Sequence, residues 1–258
     1  MEQENVMETR STDQWLLGQQ PTIAMAIPDR MEALTIHRDR YGAPANVIGM
    51  ESVLTPKLRP EDANKVLVSV LASGPNFNTN FAALGLPVPV FGRMDPATIH
   101  IPGSDALGIV VDAGPAVKSL RLGQAVILDA WTLQQNIRGY ETHDGFNGQF
   151  VAIDQQMALP IPEALKANSP EQLAAMLLTY GTAYRAVVQL LAVRPGDSIL
   201  VMGGGRGTSF PGAQIAKLLG ARVILFGSNP ALAKSLIERG IADAFIDRRT
   251  LPAEMFRV

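Results

Sequence analysis

The chain of 258 residues carries 22 lysines and arginines against 24 aspartates and glutamates, a formal net charge of −2. This balance argues against the basic surface that proteins use to bind nucleic acid. Because the chain contains no cysteine, disulfides and thiolate zinc sites are excluded. The three histidines, His37, His100 and His143, lie far apart and lack metal-ligand spacing, so we predict no bound metal. Without a run of about 18 apolar residues or a signal-peptide pattern, the sequence predicts a cytoplasmic protein with no membrane span.

The first part of the chain is predicted to form a tail and a β-rich domain. Residues 1–20 are polar, and we interpret them as a tail or linker with a docking spot at Trp15, Leu16 and Leu17. Residues 21–160 are predicted to form a substrate-binding domain. Its predicted strands are short apolar runs at residues 33–36, 47–54, 65–72, 107–111, 123–128 and 145–153. Glycine- and proline-rich turns between such strands are typical of a compact, partly open β-barrel. An asparagine-rich stretch at 73–85 is predicted to be a turn that runs into a short helix.

The composition changes after residue 160, and residues 161–258 are predicted to alternate between helix and strand. Residues 169–189 have apolar positions at helical spacing, and we expect Gly181 to split them into two helices. Predicted strands follow at 198–202, 222–226 and 244–247, with helices after the first two. Such alternation predicts a parallel, doubly wound α/β sheet. A full dinucleotide domain needs two such halves, so we expect this chain to be a portion of a larger protein.

A glycine-rich turn joins the strand at 198–202 to the next helix, and the sequence there is GGGRGTS at 203–209. Glycines allow a tight turn and a close approach to a ligand, and the start of a helix attracts anions. We therefore predict that a pyrophosphate binds here, with Ser209 as the helix cap and Pro211 in the first turn. The predicted contacts are Gly203, Gly205, Arg206, Gly207, Thr208 and Ser209. The strict dinucleotide fingerprint is broken because Thr208 and Ser209 lie where a third glycine is expected, and a tight turn that binds nothing is the alternative.

The end of the second predicted strand indicates which nucleotide binds. NAD-binding domains have an acidic residue there, whereas this chain has Gly227, Ser228 and Asn229. Ser228 can donate a hydrogen bond, and Arg206 and Lys234 are nearby cations. The sequence therefore favours NADP(H) over NAD(H), although a solvated position is the simpler interpretation of Lys234.

Several motifs give the chain a resemblance to a known family. They are NFNTNFAALG (76–85), IPGSDALGIVVDAGPAV (101–117), RGYETHDG (138–145), GTAYRAVV (181–188), VRPGDSILVMGGGRG (193–207) and FIDR (245–248). In this order they resemble the medium-chain dehydrogenase/reductase superfamily, and within it the crotonyl-CoA carboxylase/reductase and enoyl-CoA reductase family. The reductase domain of propionyl-CoA synthase is the expected nearest member. The resemblance implies a GroES-like, partly open β-barrel followed by the first half of a Rossmann sheet.

The resemblance also implies an activity. Family members transfer a hydride from NADPH to the β-carbon of a 2-enoyl-CoA, and the resulting enolate is protonated or, in some members, carboxylated, without zinc. We therefore expect a reductase of short acyl chains such as acryloyl-CoA or crotonyl-CoA, with a reductive carboxylase as the alternative. The implied partners are the enoyl-CoA, other domains of a multifunctional synthase and, when complete, further copies in a homo-oligomer. A third interpretation is a non-catalytic docking or structural module.

Site residues are carried over from the family motifs one at a time. Asn78 matches an asparagine near the reacting acyl group, and Tyr140 and Glu141 match an aromatic–glutamate pair beside it; Thr182 matches a residue near the nicotinamide. The expected arrangement is a cleft bordered by Asn78 and Glu141 that the nicotinamide faces. Two of these residues have simpler interpretations: a turn-stabilising amide for Asn78, and an ion pair with Arg138 or another partner for Glu141.

Other polar residues near these motifs receive structural interpretations. We expect Asp105 to cap the turn before its strand. His143 is interpreted as an exposed loop residue, with a proton relay as the alternative, and no role is assigned to His37 or His100.

Overall fold

The computed structural model of the protein describes residues 27–87, 89–93, 98–133 and 135–252. The chain divides into two compact units, Met1–Met176 and Leu177–Val258. The predicted tail at 1–20, including its docking spot, lies outside the described residues. None of the helices in the described ranges combines the length and the apolar character that crossing a membrane requires.

The first unit is built from two antiparallel sheets. Its strands are β1 (Arg30–His37), β2 (Gly49–Leu54), β3 (Lys65–Ser73), β4 (Ile99–His100), β5 (Ala106–Ala113), β6 (Ala125–Leu128), β7 (Phe150–Asp154) and β8 (Ala158–Pro160). One sheet has the order β7-β3-β5-β6-β8 and the other the order β2-β1-β4. The pairing of β3 with β5 shifts register at two places, and such bulges bend a sheet. The predicted partly open barrel is confirmed.

Short helices lie between these strands and after β8. They are the α-helices Pro44–Val47, Phe77–Leu84, Val90–Arg93 and Pro170–Ala174, and the 3-10 helices Pro60–Asp62, Gln155–Met157 and Glu163–Leu165. The strand predicted over 47–54 begins instead at Gly49, because Pro44 starts a helical turn ahead of it.

The division between the units falls after Met176, later than the boundary predicted between 160 and 161. The helix Pro170–Ala174 explains this position because it packs against β3 and β5 of the first unit. The approach is so close that a Cβ on Gly74 would lie 2.7 Å from the carbonyl oxygen of Ala174. This helix is therefore part of the first unit.

The second unit contains a parallel sheet with the order β11-β10-β9. The strands are β9 (Ser198–Met202), β10 (Arg222–Gly227) and β11 (Ala244–Asp247). The helical segments are Leu177–Tyr184, the π-helix Arg185–Leu190, Ser209–Leu218, Pro230–Glu238 and the 3-10 turn Arg248–Thr250. Val223 and Leu225 of β10 are fully buried against helix residues that include Ala213 and Leu236. This arrangement confirms the predicted half of a doubly wound sheet.

The prediction that Gly181 splits the preceding helix is wrong. The helix that starts with the capping box of Ser169 and Gln172 ends at Ala174, and a new helix runs from Leu177 to Tyr184 through Gly181. A glycine inside a helix costs only about 1 kcal/mol relative to alanine. Burial of Leu178 and Ala183 on the same helix outweighs that cost.

Candidate functional site

The glycine-rich turn (residues 203–207) borders a pocket at the carboxyl ends of β9 and β10. The pocket has a volume of about 370 Å³, within the usual range for small-molecule sites. Its lining residues are Gly203, Gly204, Arg206, Ser228, Asn229 and Leu232. The structure thus brings together three predicted cofactor contacts, Gly203, Arg206 and Ser228, at the edge of the sheet where α/β proteins bind ligands.

The backbone of the turn depends on glycine at several points. Gly203, Gly204, Gly205 and Gly207 all have positive φ, between 52° and 98°. A Cβ on Gly227 would lie 2.9 Å from the Cα of Gly204, and the Gly203 amide donates to the Phe226 carbonyl at 3.0 Å. The two strand ends therefore approach closely enough for one ligand to contact both. Gly205, in contrast, is buried, and a Cβ there would overlap the side chain of Leu236.

A second, smaller pocket lies along β9. It has a volume of about 210 Å³ and brings together the other predicted contacts, Thr182, Thr208 and Ser209, with residues 199–202 of the strand. The predicted cofactor residues thus divide between two pockets of the same unit, apart from the buried Gly205 and from Gly207, which lines neither pocket.

The prediction that Ser209 caps the following helix is wrong. The helix begins at Ser209 itself, and the cap position is Thr208, whose side chain makes no capping hydrogen bond. The Ser209 hydroxyl instead donates to the carbonyl oxygen of Arg206 at 2.5 Å, which closes the turn. The first N–H groups of a helix have no acceptor within the helix, and here no capping side chain takes one of them. That arrangement suits an anion at this point.

The charges around the larger pocket favour an anionic ligand. Arg206 lines it and is exposed, and none of its lining residues is acidic. The end of the neighbouring strand β11 carries a carboxylate, Asp247, which pairs with Gly227 of β10. Hydrogen bonds from the Arg249 side chain and backbone, with its positive charge, lower the pKa of Asp247 to about 2. Lys234 is not part of this lining, and its Nζ lies 3.8 Å from the Glu238 carboxylate.

The first unit holds Asn78 on the helix Phe77–Leu84. Asn76 is the cap of this helix, and its side-chain oxygen accepts a hydrogen bond from the Asn78 amide at 3.0 Å. Asn78 is half-buried. Farther along the helix, Ala82 and Ala83 are buried in a cluster against which Tyr140 packs. The structure therefore brings the helix of Asn78 and the predicted aromatic residue Tyr140 together.

Glu141 lies in the adjacent loop (residues 137–145), where its side chain closes the loop. Its Oε2 accepts a hydrogen bond from the Ile137 amide at 2.8 Å. The ion pair that the structure gives Arg138 is with Asp144, at 2.6 Å, and the same guanidinium donates to the carbonyl oxygen of Ala152. The carboxylate of Glu141 is thus fixed in orientation by the backbone amide of Ile137 in the same loop.

Sequence reasoning missed His100, which anchors the same loop. His100 is fully buried, and its Nε2–H donates to the carbonyl oxygen of Gly139 at 3.0 Å. Burial lowers the pKa of its imidazole to about 4, so the side chain is neutral. A histidine in a proline-rich stretch gives no pattern from which this contact could be predicted. His143 is half-buried rather than exposed, and its Nδ1 is buried without a hydrogen-bond partner.

Within the described ranges, no group of three or more histidine, aspartate or glutamate side chains is arranged to hold a metal ion.

Comparison with known proteins tests the predicted resemblance. Residues 62–163 match the alcohol dehydrogenase GroES-like domain. The crotonyl-CoA carboxylase/reductase of Cereibacter sphaeroides is 33% identical, and the match covers 82% of this chain and 52% of that relative. The crotonyl-CoA reductase of Streptomyces collinus is 29% identical, and the match covers 87% of this chain and 58% of that relative. The solved structure of the crotonyl-CoA carboxylase/reductase AntE in complex with NADP matches with a TM-score of 0.78 and 30% identity, covering 88% of this chain and 60% of that one.

This chain therefore spans between half and three fifths of the length of these relatives. The predicted resemblance to the medium-chain dehydrogenase/reductase superfamily is confirmed, with a matching GroES-like domain and with crotonyl-CoA carboxylase/reductases among the relatives of this chain.

Proposed function

We propose that this chain takes part in the NADPH-dependent reduction of a 2-enoyl-CoA thioester. The observation that carries the proposal is the pocket at the ends of β9 and β10, which combines Gly203, Gly204, Arg206 and Ser228 without a carboxylate in its lining. A relative with the same fold was solved with NADP, and curated relatives are named for crotonyl-CoA.

The residues of the second unit fit the coenzyme. We propose that backbone amides of the turn and of the uncapped helix start bind the pyrophosphate. Arg206 and Ser228 bind the 2′-phosphate, because a guanidinium and a hydroxyl both donate to phosphate oxygens. Thr182 lies beside the nicotinamide. When bound, NADPH supplies the hydride for the β-carbon of the enoyl group.

The residues of the first unit are proposed to act on the acyl group. Hydride addition leaves negative charge on the thioester oxygen, and a preorganised donor stabilises that charge. The Asn78 side-chain amide is the proposed donor. Tyr140 and Glu141 are proposed to border the acyl group, with Glu141 held in one orientation by the Ile137 amide.

A test of the coenzyme site is NADPH binding by the variant Arg206→Ala. We expect the dissociation constant for NADPH to rise about 10- to 100-fold with little change for NADH, since only NADPH carries the extra phosphate. Fluorescence titration measures both constants. Lys234→Ala is the matched control, because this exposed lysine pairs with Glu238 and does not line the pocket. Equal losses for the two coenzymes would contradict the assignment.

A test of the reaction is NADPH oxidation in the presence of acryloyl-CoA or crotonyl-CoA. We expect oxidation that requires the enoyl thioester. If the protein binds no NADPH and is inert toward enoyl thioesters, the proposal fails in favour of a structural or docking module.

Reductive carboxylation is the second candidate, because the Cereibacter sphaeroides relative is named a carboxylase/reductase. The enolate formed by hydride addition can take up a proton or carbon dioxide at the α-carbon. Product analysis with and without bicarbonate distinguishes the two: a malonyl-type thioester that appears only with bicarbonate identifies the carboxylase. Three further properties stay predictions. They are a place within a multifunctional propionyl-CoA synthase, assembly into a homo-oligomer and a cytoplasmic location.

A further inference from the structure

Asp105 is a buried carboxylate at the start of β5. It is 2% exposed, and its Oδ2 lies 3.3 Å from the side-chain nitrogen of Asn76, which donates to it. The carbonyl oxygen of Asp105 accepts a second hydrogen bond, from the Gly74 amide at 3.0 Å. Asp105 thus contacts the segment before the helix Phe77–Leu84 through both its side chain and its backbone.

The carboxylate determines which way the Asn76 amide points. The Asp105 carboxyl oxygen accepts a hydrogen bond from the NH₂ group of Asn76, which therefore faces Asp105. The carbonyl oxygen of the same side chain then faces the helix, where it accepts from the Asn78 amide at 3.0 Å. With the opposite orientation, both contacts would be lost.

This orientation matters because Asn76 caps the helix that carries Asn78. The backbone N–H groups of a first helical turn have no partner inside the helix, and a cap that captures one of them fixes the turn. The far end of this helix is held separately, by the burial of Ala82 and Ala83 and by the left-handed Gly85. The first turn, with the side chain of Asn78, is the part that depends on Asn76.

We infer that Asp105 is a positioning residue: through the Asn76 amide it fixes the backbone of Asn78 and so places the Asn78 side chain for its substrate. The second half of this inference rests on the proposed function, and the first half stands on the contacts alone.

The test exchanges the two side chains. Asn76→Asp keeps an equally good helix cap but sets two carboxylates against each other. Adding Asp105→Asn restores a donor–acceptor pair, since the amide introduced at position 105 can then donate to the carboxylate introduced at position 76. We expect amide hydrogen exchange at Asn78 to accelerate about tenfold or more in the single variant and to return to within about threefold of the wild type in the double variant.

A matched control is Asp154→Asn, the same type of exchange at the cap of the 3-10 helix Gln155–Met157. We expect it to leave exchange at Asn78 unchanged. If Asp105 were a bystander, Asn76→Asp would also be neutral, because aspartate and asparagine cap equally well. An unchanged exchange rate in that variant, or a double variant as fast as the single one, would overturn the inference.

Kinetics of enoyl-CoA reduction test the second half of the inference, that Asp105 places the Asn78 side chain for its substrate. We expect Asn76→Asp to lower kcat about tenfold with KM within about threefold, and the double variant to recover kcat. A role only in fold stability would lower the midpoint of thermal unfolding and leave kcat of the folded protein unchanged. An inactive wild type refutes the proposed function, whereas the exchange experiment still decides whether Asp105 positions Asn78.

Discussion

Two glycine-dense segments, one in each unit, use glycine for different reasons. In the first unit, a Cβ on Gly139 or Gly145 would meet main-chain atoms, those of Gly103 and Ile101 among them. In the second unit, the atoms nearest to a Cβ on Gly203 or Gly204 lie at 3.2 Å or more, and Gly207 has nothing within 4 Å. These three glycines nevertheless have positive φ.

The comparison teaches that Gly139 and Gly145 let two backbone segments touch, whereas Gly203, Gly204 and Gly207 let the chain turn where a Cβ would have no neighbour closer than 3.2 Å. A backbone contact cannot relax around a methyl group, because the atoms on both sides belong to the main chain. A turn with open space loses only conformational energy. The first segment holds Tyr140 and Glu141 firmly, and the second leaves room for a ligand.

The largest expected effect is that of Gly139→Ala. The new Cβ would overlap the main chain of Gly103, and φ of +70° adds strain. We expect the free energy of unfolding of the first unit to fall by at least about 4 kcal/mol, measured by urea denaturation. The control Gly148→Ala faces the ends of the Met31 and Ala33 side chains and should cost about 1 kcal/mol or less. Similar losses for both variants would show that the main-chain contact is not decisive.

The next effect is a pH dependence from His100, whose Nε2–H holds the Gly139 carbonyl. Its pKa is lowered from 6.5 to about 4 in the folded protein, so the unfolded chain binds a proton first as the pH falls. The stability that His100 contributes is complete above pH 6.5 and decreases by about 3 kcal/mol between 6.5 and 4.

Urea denaturation of the wild type and of His100→Gln across this pH range measures the effect. We expect the variant to lack this part of the acid dependence. If both proteins lost the same stability on acidification, other groups would have to carry the effect.

A smaller effect separates two glycines of the second segment. Gly205→Ala puts a Cβ into the Leu236 side chain at a φ of +90°, and we expect a loss of about 2–3 kcal/mol. Gly207→Ala, with open space and a φ of +52°, should cost about 1 kcal/mol. Urea denaturation of the second unit measures the loss of stability in both variants. Equal costs would mean that Leu236 moves aside freely.

The smallest effect has the opposite sign. Gly181 lies inside the helix Leu177–Tyr184, and a Cβ at this position would have nothing within 4 Å, so Gly181→Ala restricts the unfolded chain without strain in the folded one. We expect the free energy of unfolding to rise by about 0.5–1 kcal/mol, measured by urea denaturation of the second unit. A loss of stability would indicate that the helix needs the freedom of glycine at this point.

Much of the fold was predictable from the sequence because its signals are local. The apolar run of β3 and the strand–glycine–helix pattern after β9 each predict an element without knowledge of the rest of the chain. The pocket that joins Arg206 to Ser228 was predictable for the same reason, since parallel strands end at one edge of a sheet.

The remaining features depend on contacts between distant residues. Nothing near His100 in the chain indicates that its imidazole will meet the carbonyl of Gly139. Similarly, Ser209 has the residue type of a cap, yet it lies one position inside the helix and its hydroxyl donates back to the Arg206 carbonyl. The partner of Arg138 proved to be Asp144, and spacing alone did not favour that residue over Glu141.

The exposed side chains of β9 have a consequence for handling the protein. Leu200 and Met202 are 52% and 67% exposed, and both line the smaller pocket together with Thr182 and Thr208. A charged side chain at either position would change that pocket. Substitutions that keep the protein dispersed during crystallisation or spectroscopy are better placed at Leu218, which is 87% exposed and lines neither of the two described pockets.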